Sequence, residues 1–182
     1  MDRDRKSDER TRPANARPDR ESFRFFQLSD DKPALLEDLV PGCEVATSRG
    51  PAWLSHRPLD EFWHPLPDLP EPDPTRIWFD IETRGGRGNP GFLFGAVHHE
   101  DGRWWLWQAL ARTTEEEPAM LELVTEFVQR HPRLVSYSGT KNDWPFLVSR
   151  WSRFDMVPPR HADHLDLFEK AQTLYRGVLP SC

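Results

Sequence analysis

The sequence predicts an α/β fold with a mixed sheet, whose elements follow the order three strands, helix, strand, helix, strand. Apolar segments at 76–82, 91–98 and 103–110 have the length and the aromatic and β-branched content of strands. A turn at 100–102 predicts that the second and third strands form an antiparallel hairpin. Helical and strand patterns then alternate, which is typical of the crossovers that build parallel pairs. Hairpin and crossovers together predict a mixed sheet.

The later elements follow from capping residues and apolar spacing. Thr114, followed by acids and Pro118, predicts a helix start with threonine as the N-cap. An apolar stripe at helical spacing continues this helix: Met120, Leu121, Val124, Phe127 and Val128. The remaining predicted elements are a strand at 134–137, a helix that begins at Asp143, a strand at 165–167 and a helix at 168–175.

Composition restricts the class of protein. The 182 residues suit one domain with appendages, and a net charge of −6 argues against a protein that coats nucleic acid by charge alone. The two cysteines, Cys43 and Cys182, do not make a disulfide framework. The chain has no apolar run that could span a membrane and begins without an apolar signal segment, so we expect a reducing, cytoplasmic setting and no membrane partner.

The chain divides into three predicted parts: a disordered charged tail at 1–22, an N-terminal extension at 23–75, and an α/β domain at 76–182. A solvated tail without a partner is the favoured interpretation of the first part. The extension contains a short helix at 33–40, a hairpin with strands at 43–47 and 52–56, and a stiff proline-rich linker at 65–75.

Two carboxylates, Asp80 and Glu82, end the first predicted strand of the domain. Positions i and i+2 of a strand share a face, so these acids project together while Phe79 and Ile81 point the other way. Paired acids are costly to desolvate unless a cation neutralises them, and Mg²⁺ or Mn²⁺ prefers oxygen ligands. Ordinary surface acids are the alternative, but the apolar strand before them and the glycine-rich turn at 84–88 favour a metal site.

A third acid, Asp143, follows the predicted strand at 134–137 and opens a helix. Taken alone, it is best interpreted as an N-cap, because aspartate is favoured there and Pro145 fits the first turn. The topology could instead bring this helix start beside Asp80 and Glu82, where Asp143 would act as a further ligand.

Two other polar groups have weaker functional interpretations. A cluster contains His161, Asp163, His164 and Asp166, but no second Cys/His pair supports zinc, and Asp166 is favoured as a structural hydrogen-bond acceptor. Four cations lie near the candidate site: Lys141, Arg150, Arg153 and Arg160. Each could contact phosphate or form solvated surface.

The segment Phe79-Asp80-Ile81-Glu82-Thr83, with Gly85, resembles the first motif of DEDD-type 3′–5′ exonucleases, which have a ribonuclease-H-like fold. The arrangement most resembles the YprB-like branch of that superfamily. The other stretches that carry the resemblance are 92–95, 136–147, 164–167, 179–182 and the N-terminal hairpin segment at 40–51. The resemblance covers roughly residues 35–182.

The resemblance implies a ribonuclease-H-like mixed sheet and hydrolysis of phosphodiester bonds with two divalent metal ions, Mg²⁺ or Mn²⁺. By position, Asp80 and Glu82 match the ligands of the first motif, and Asp143 matches the aspartate of the second. The implied substrate is nucleic acid, DNA or RNA, with a single-stranded end. Asp80, Glu82 and Asp143 are therefore the implied catalytic and metal-binding residues.

The sequence departs from the family pattern at two places. Ser138 and Asn142 occupy positions where the branch usually has an asparagine and an aromatic residue. The third motif, a histidine or tyrosine before a last aspartate, is expected beyond 179–182, so we expect the domain to be C-terminally incomplete, with weak or no turnover. Two alternatives to an exonuclease therefore stay open: an inactive nucleic-acid-binding or scaffolding module, and a truncated gene product.

Overall fold

A computed structural model describes residues 40–59, 71–83, 85 and 89–176. The described residues belong to one compact unit, Leu36–Cys182. The predicted tail at 1–22, the predicted helix at 33–40 except for its last residue, and most of the proline-rich linker lie outside the described residues. None of the described helices is long and apolar enough to cross a membrane.

The described part contains seven strands and three α-helices. The strands are β1 (Cys43–Thr47), β2 (Gly50–Pro58), β3 (Arg76–Thr83), β4 (Gly91–Glu100), β5 (Arg103–Leu110), β6 (Arg133–Ser136) and β7 (Asp163–Asp166). The α-helices are α1 (Glu117–Arg130), α2 (Asp143–Arg153) and α3 (Leu167–Leu174). A short 3₁₀ helix, Thr114–Glu116, precedes α1.

All seven strands form one sheet in the order β1-β2-β5-β4-β3-β6-β7. Neighbouring strands in the part of the sheet ordered β1-β2-β5-β4-β3 pair antiparallel. By contrast, β6 pairs parallel with β3, and β7 pairs parallel with β6. This architecture confirms the predicted α/β fold with a mixed sheet. The N-terminal hairpin, β1 and β2, continues the same sheet, because β2 pairs with β5 from Trp53↔Leu110 to Pro58↔Trp105.

The core lies between one face of the sheet and the helices. The stripe predicted on α1 is confirmed, because its five apolar side chains are almost fully buried. Phe127 of this helix stacks on Trp107 of β5, with ring centroids 4.1 Å apart. From α2, Leu147 and Trp151 enter the same core. Burial of this kind contributes about 25 cal/mol per Å² of apolar surface and fixes α2 against the sheet.

The predicted start of α1 is wrong. Thr114 lies inside the 3₁₀ helix, and α1 begins at Glu117 without a side-chain cap. Arg112 explains the shift: its backbone N–H and guanidinium donate to the carboxylate of Glu116 at 2.6–3.0 Å. This contact holds the preceding turn in place of a threonine cap.

Two strand boundaries also differ from the prediction. β6 ends at Ser136, and Tyr137 is exposed, because the following Ser138 adopts a left-handed conformation with φ 63°. β7 covers Asp163–Asp166 instead of 165–167. It ends there because Asp166 caps α3, so Leu167 is already helical.

Candidate active site

β3 places Asp80 and Glu82 on the sheet face opposite the core. Phe79 is buried, while both carboxylates are exposed. The predicted division of the strand into an apolar and an acidic face is therefore confirmed. Gly95 of β4 lies directly across from Asp80, and no atom lies near the position that a side chain would take there. The sheet is consequently open beside Asp80.

α2 brings the third acid to this edge of the sheet. Asp143 is the first residue of α2, and the N-cap position belongs to Asn142. The side-chain amide of Asn142 donates to Ser138 Oγ at 3.0 Å and makes no capping bond. The interpretation of Asp143 as an N-cap is thus wrong, because the loop before it assigns that position to Asn142. The backbone of α2 donates no capping hydrogen bond to the Asp143 carboxylate.

The loop between β6 and α2 is held by Asp166. The Asp166 carboxylate accepts hydrogen bonds from Ser138 N at 2.9 Å, from Thr140 N at 3.1 Å and from Thr140 Oγ1 at 2.5 Å. It also accepts from Phe168 N at 2.9 Å, which caps α3. The predicted structural role of Asp166 is confirmed. Gly139 completes the loop, since a Cβ there would collide with the side chain of Ser136.

The pKa values of Asp143 and Asp166, both at this edge of the sheet, are shifted in opposite directions. Burial raises the pKa of Asp143, and the negative charges of Asp80 and Asp166 raise it further, to about 6. Burial also acts to raise the pKa of Asp166, but the hydrogen bonds from Thr140, Ser138 and Phe168 outweigh it and lower that pKa to about 2. Negative charge therefore accumulates around Asp143 without donors that would offset it.

Open space adjoins all three carboxylates. Glu82 and Asp143 line a cleft of about 850 Å³, whose wall also includes Phe146 and Arg153. Asp80 and Glu82 border a shallower pocket of about 410 Å³ on the open sheet face, beside Trp78. Glu82 is therefore common to both spaces and connects the sheet face to the cleft.

The donors suit a hard divalent cation. All three are carboxylates, the ligands that Mg²⁺ and Mn²⁺ prefer, and across the described ranges no side chain donates a hydrogen bond to them or forms an ion pair with them. Within the described part of the chain, one oxygen from each of the three carboxylates does not form a set in which all lie within 4.8 Å of one another. Asp80, Glu82 and Asp143 thus fit such a cation by chemistry and charge, as an open arrangement.

Comparison with protein families agrees with this geometry. A family model described as RNase_H superfamily matches residues 77–182, more than half of the chain. The chain belongs to the RNase_H superfamily. The matched residues include Asp80, Glu82 and Asp143. A search of the curated proteins finds no match to the chain. Membership of this superfamily indicates a nuclease-type function.

One predicted contact of this RNase_H superfamily domain is wrong. Arg150 is neither solvated nor free for phosphate, because it is buried and its guanidinium donates to Glu117 at 2.6 and 2.7 Å. Glu117 also accepts from Gly91 N at 2.9 Å, so the pair joins α1, α2 and β4 behind the cleft. A sequence signal existed: Glu117 precedes Met120 and Leu121 by three and four positions, on the buried face of α1.

The remaining cations have distinct positions. Lys141 forms an ion pair with Glu169 at 3.1 Å, and Arg153 is exposed on the wall of the cleft. Arg160 is also exposed. Lys141 also lines the cleft but is paired with Glu169, so Arg153, which has no ion-pair partner among the described residues, is the best placed of the four predicted cations to meet a ligand there.

The members of the His161 cluster in the superfamily domain contact other parts of the fold, and the rings of His161 and His164 also lie 5.9 Å apart. His164 Nε2 and Ser136 Oγ are 2.7 Å apart, and Asp163 pairs with Arg133 at 3.0 Å. His161 packs its ring against Trp144 at 4.7 Å. These contacts fix β7 and the start of α2 and leave the cluster's donors pointing to different partners.

Proposed function

We propose that this RNase_H superfamily protein is a divalent-metal-dependent 3′–5′ exonuclease of the YprB-like DEDD type. The observation that carries the proposal is the Asp143 carboxylate, which α2 does not use and whose pKa is raised by burial and by Asp80. A bound cation would remove this electrostatic cost. The likeness of 79–83 to the first exonuclease motif supports the same conclusion.

Asp80, Glu82 and Asp143 would hold Mg²⁺ or Mn²⁺. When bound, such ions lower the pKa of water and offset charge on phosphate oxygens. The chain's own residues would position the substrate. Arg153 would attract the phosphate backbone in the cleft, and the ring of Phe146 would form the apolar side of the cleft. Asp166 would fix the loop that carries Asp143.

A nuclease assay with labelled single-stranded DNA and RNA tests the proposal. With Mn²⁺, a 5′-label should slowly give a ladder of shortened products, and a 3′-label should be slowly released as mononucleotide, consistent with the weak turnover expected from the sequence. EDTA should abolish both products. Asp80→Asn should lower the rate at least about 100-fold, since it removes charge where the cation would bind. Asp101→Asn is the matched control, because Asp101 lies in the β4–β5 turn.

Three outcomes would contradict the proposal. Cleavage that persists in EDTA would show that the activity needs no divalent ion. Equal rates for Asp80→Asn and Asp101→Asn would exclude the carboxylate site. Release of internal fragments as the first products would indicate an endonuclease instead.

The second candidate function is a nucleic-acid-binding module without turnover. Its support is that, within the described part of the chain, the oxygens of Asp80, Glu82 and Asp143 do not all lie within 4.8 Å of one another. Retention of labelled single strands without shortening, in Mn²⁺ as in EDTA, would favour this candidate. An Arg153→Ala variant should weaken such binding and lower its dependence on salt.

A further inference from the structure

A second group of metal-ligating side chains lies at the opposite end of the sheet. His56, His98 and Glu100 place one ligand atom each so that all three atoms lie within 4.8 Å of one another. The Nε2 atoms of the two histidines are 3.0 Å apart. In β4, His98 pairs with Ile77, whereas Leu93 pairs with Glu82. Five positions of a strand, roughly 16 Å, therefore separate this group from Glu82.

The strand register brings the three side chains together across β5. His56 of β2 lies opposite Trp107, and His98 of β4 lies opposite Trp105, so the two histidines meet diagonally over one strand. Glu100 follows His98 by two positions and projects from the same face. The ring of Trp105 packs on His56 with centroids 4.6 Å apart. Paired strands thus hold all three ligands in place before any ion binds.

The chemistry of this group differs from that of the carboxylate site. Two imidazole nitrogens and one carboxylate form a typical ligand set for zinc, whereas Mg²⁺ prefers oxygen. His98 is 1 % exposed, and its Nδ1 has no hydrogen-bond partner within the described part of the chain.

A hydrogen bond between the two histidines is the competing explanation of the 3.0 Å contact. Nitrogen ligands of tetrahedral zinc, at about 2.0–2.1 Å from the ion, lie roughly 3.3–3.4 Å apart, so binding needs only a small separation of the rings. The Glu100 carboxylate offsets the positive charge of the ion. Arg130 and His131, at the end of α1, have the opposite effect, because they disfavour positive charge at His98.

We propose that His56, His98 and Glu100 bind a zinc ion, with a fourth position open to water. Both His56 and Glu100 are exposed, so solvent reaches the site. The ion would join β2 to β4 across β5 and so fasten the N-terminal hairpin to the rest of the sheet. This role is structural and separate from the carboxylates.

Zinc binding to the full-length protein, after removal of metals by a chelator, tests the proposal. Zinc alone is titrated against a chromophoric competitor, and one ion per chain is expected. His56→Ala and Glu100→Ala should each weaken zinc binding at least about tenfold. Both residues are exposed, so neither substitution should disturb the core. His99→Ala is the matched control, because the neighbouring residue projects from the other face. Zinc should also raise the Tm of the wild type and leave that of His56→Ala unchanged.

The proposal is overturned if no ion binds at a one-to-one ratio, or if His56→Ala binds as tightly as the wild type. An Asp80→Asn, Asp143→Asn double variant adds a second discrimination. Unchanged zinc affinity in that variant supports the histidine site. Loss of zinc there, with retention in Glu100→Ala, would move the ion to the carboxylates and overturn the proposal.

Discussion

The starts of α2 and α3 are topologically equivalent, yet their aspartates behave in opposite ways. Asp143 opens α2 after β6, whereas Asp166 is the last residue of β7 and the N-cap of α3, and these strands are parallel neighbours. Asp166 accepts hydrogen bonds from the β6–α2 loop and from the start of α3, which lower its pKa to about 2. Asp143 accepts none from the described residues, and its pKa is raised to about 6.

The difference distinguishes a structural carboxylate, Asp166, from a carboxylate that is available to a ligand, Asp143. The charge of Asp166 is stabilised by backbone N–H groups, so it fixes the fold and offers little to a ligand. The charge of Asp143 costs free energy in the folded protein, and the same deficit of donors makes it a candidate ligand for a cation. Because Asp166 holds the loop before Asp143, the structural carboxylate also positions the available one.

Removal of the structural carboxylate should have the largest effect. Asp166→Ala should lower the free energy of unfolding by about 3 kcal/mol, because it leaves the N–H groups of Ser138, Thr140 and Phe168 without their acceptor. Urea denaturation at pH 7 measures this change. Asp163→Ala is the control, since its exposed ion pair with Arg133 should contribute less than about 1 kcal/mol. Similar losses in both variants would contradict the structural assignment of Asp166.

Neutralising the available carboxylate should have the opposite sign and a smaller size. The folded pKa of Asp143, about 6, lies above its ordinary value of 3.8, so the ionised carboxylate destabilises the fold as pH rises from about 4 to above 6. Asp143→Asn should therefore raise the free energy of unfolding by about 1–2 kcal/mol at pH 8 and leave it nearly unchanged at pH 4. Solvent screens the half-buried Asp143 carboxylate, which keeps this change below the full free-energy equivalent of the pKa shift.

Denaturant titrations at the two pH values, in EDTA, check the result for Asp143→Asn. Asp155→Asn serves as the control for loss of one negative charge, because Asp155 is exposed beyond the end of α2. A loss of stability in Asp143→Asn that is equal at pH 4 and pH 8 would mean that the carboxylate makes favourable bonds in the fold.

Local pattern in the sequence was enough to predict several features of this comparison. Alternation along β3 placed Asp80 and Glu82 on one face, because a strand's period is fixed by its backbone. The order of elements predicted the mixed sheet. The sequence also favours Asp166 as a structural hydrogen-bond acceptor. Each of these features depends on residues close together in the chain.

Features that depend on distant residues could not be predicted in this way. Cap preference alone assigned Asp143 to the N-cap, whereas the left-handed Ser138 and its bond to Asn142 moved the helix start by one residue. The pair of Glu117 and Arg150 spans 33 positions. The histidine group requires the register of β2 and β4 on the two sides of β5, which no local pattern contains.

The smallest predicted effect sharpens the comparison at a single bond. Thr140→Val removes the 2.5 Å hydrogen bond from Thr140 Oγ1 to Asp166 and keeps the bond from the backbone N–H. The free energy of unfolding at pH 7 should fall by roughly 0.5–1 kcal/mol. The pKa of Asp166 should rise above about 2, since a donor to its ionised form is lost. Because a depressed pKa stabilises the fold only above the range in which the carboxyl protonates, the difference from wild type should shrink as pH falls from 4 towards 2.

Carboxyl ¹³C shifts measured by NMR against pH follow both aspartates at once. Thr173→Val, which removes a hydroxyl bond to a helix carbonyl elsewhere, is the control. If Thr140→Val left the pKa of Asp166 unchanged, the hydroxyl could not be a main cause of its low value, and the backbone N–H groups alone would explain the contrast with Asp143.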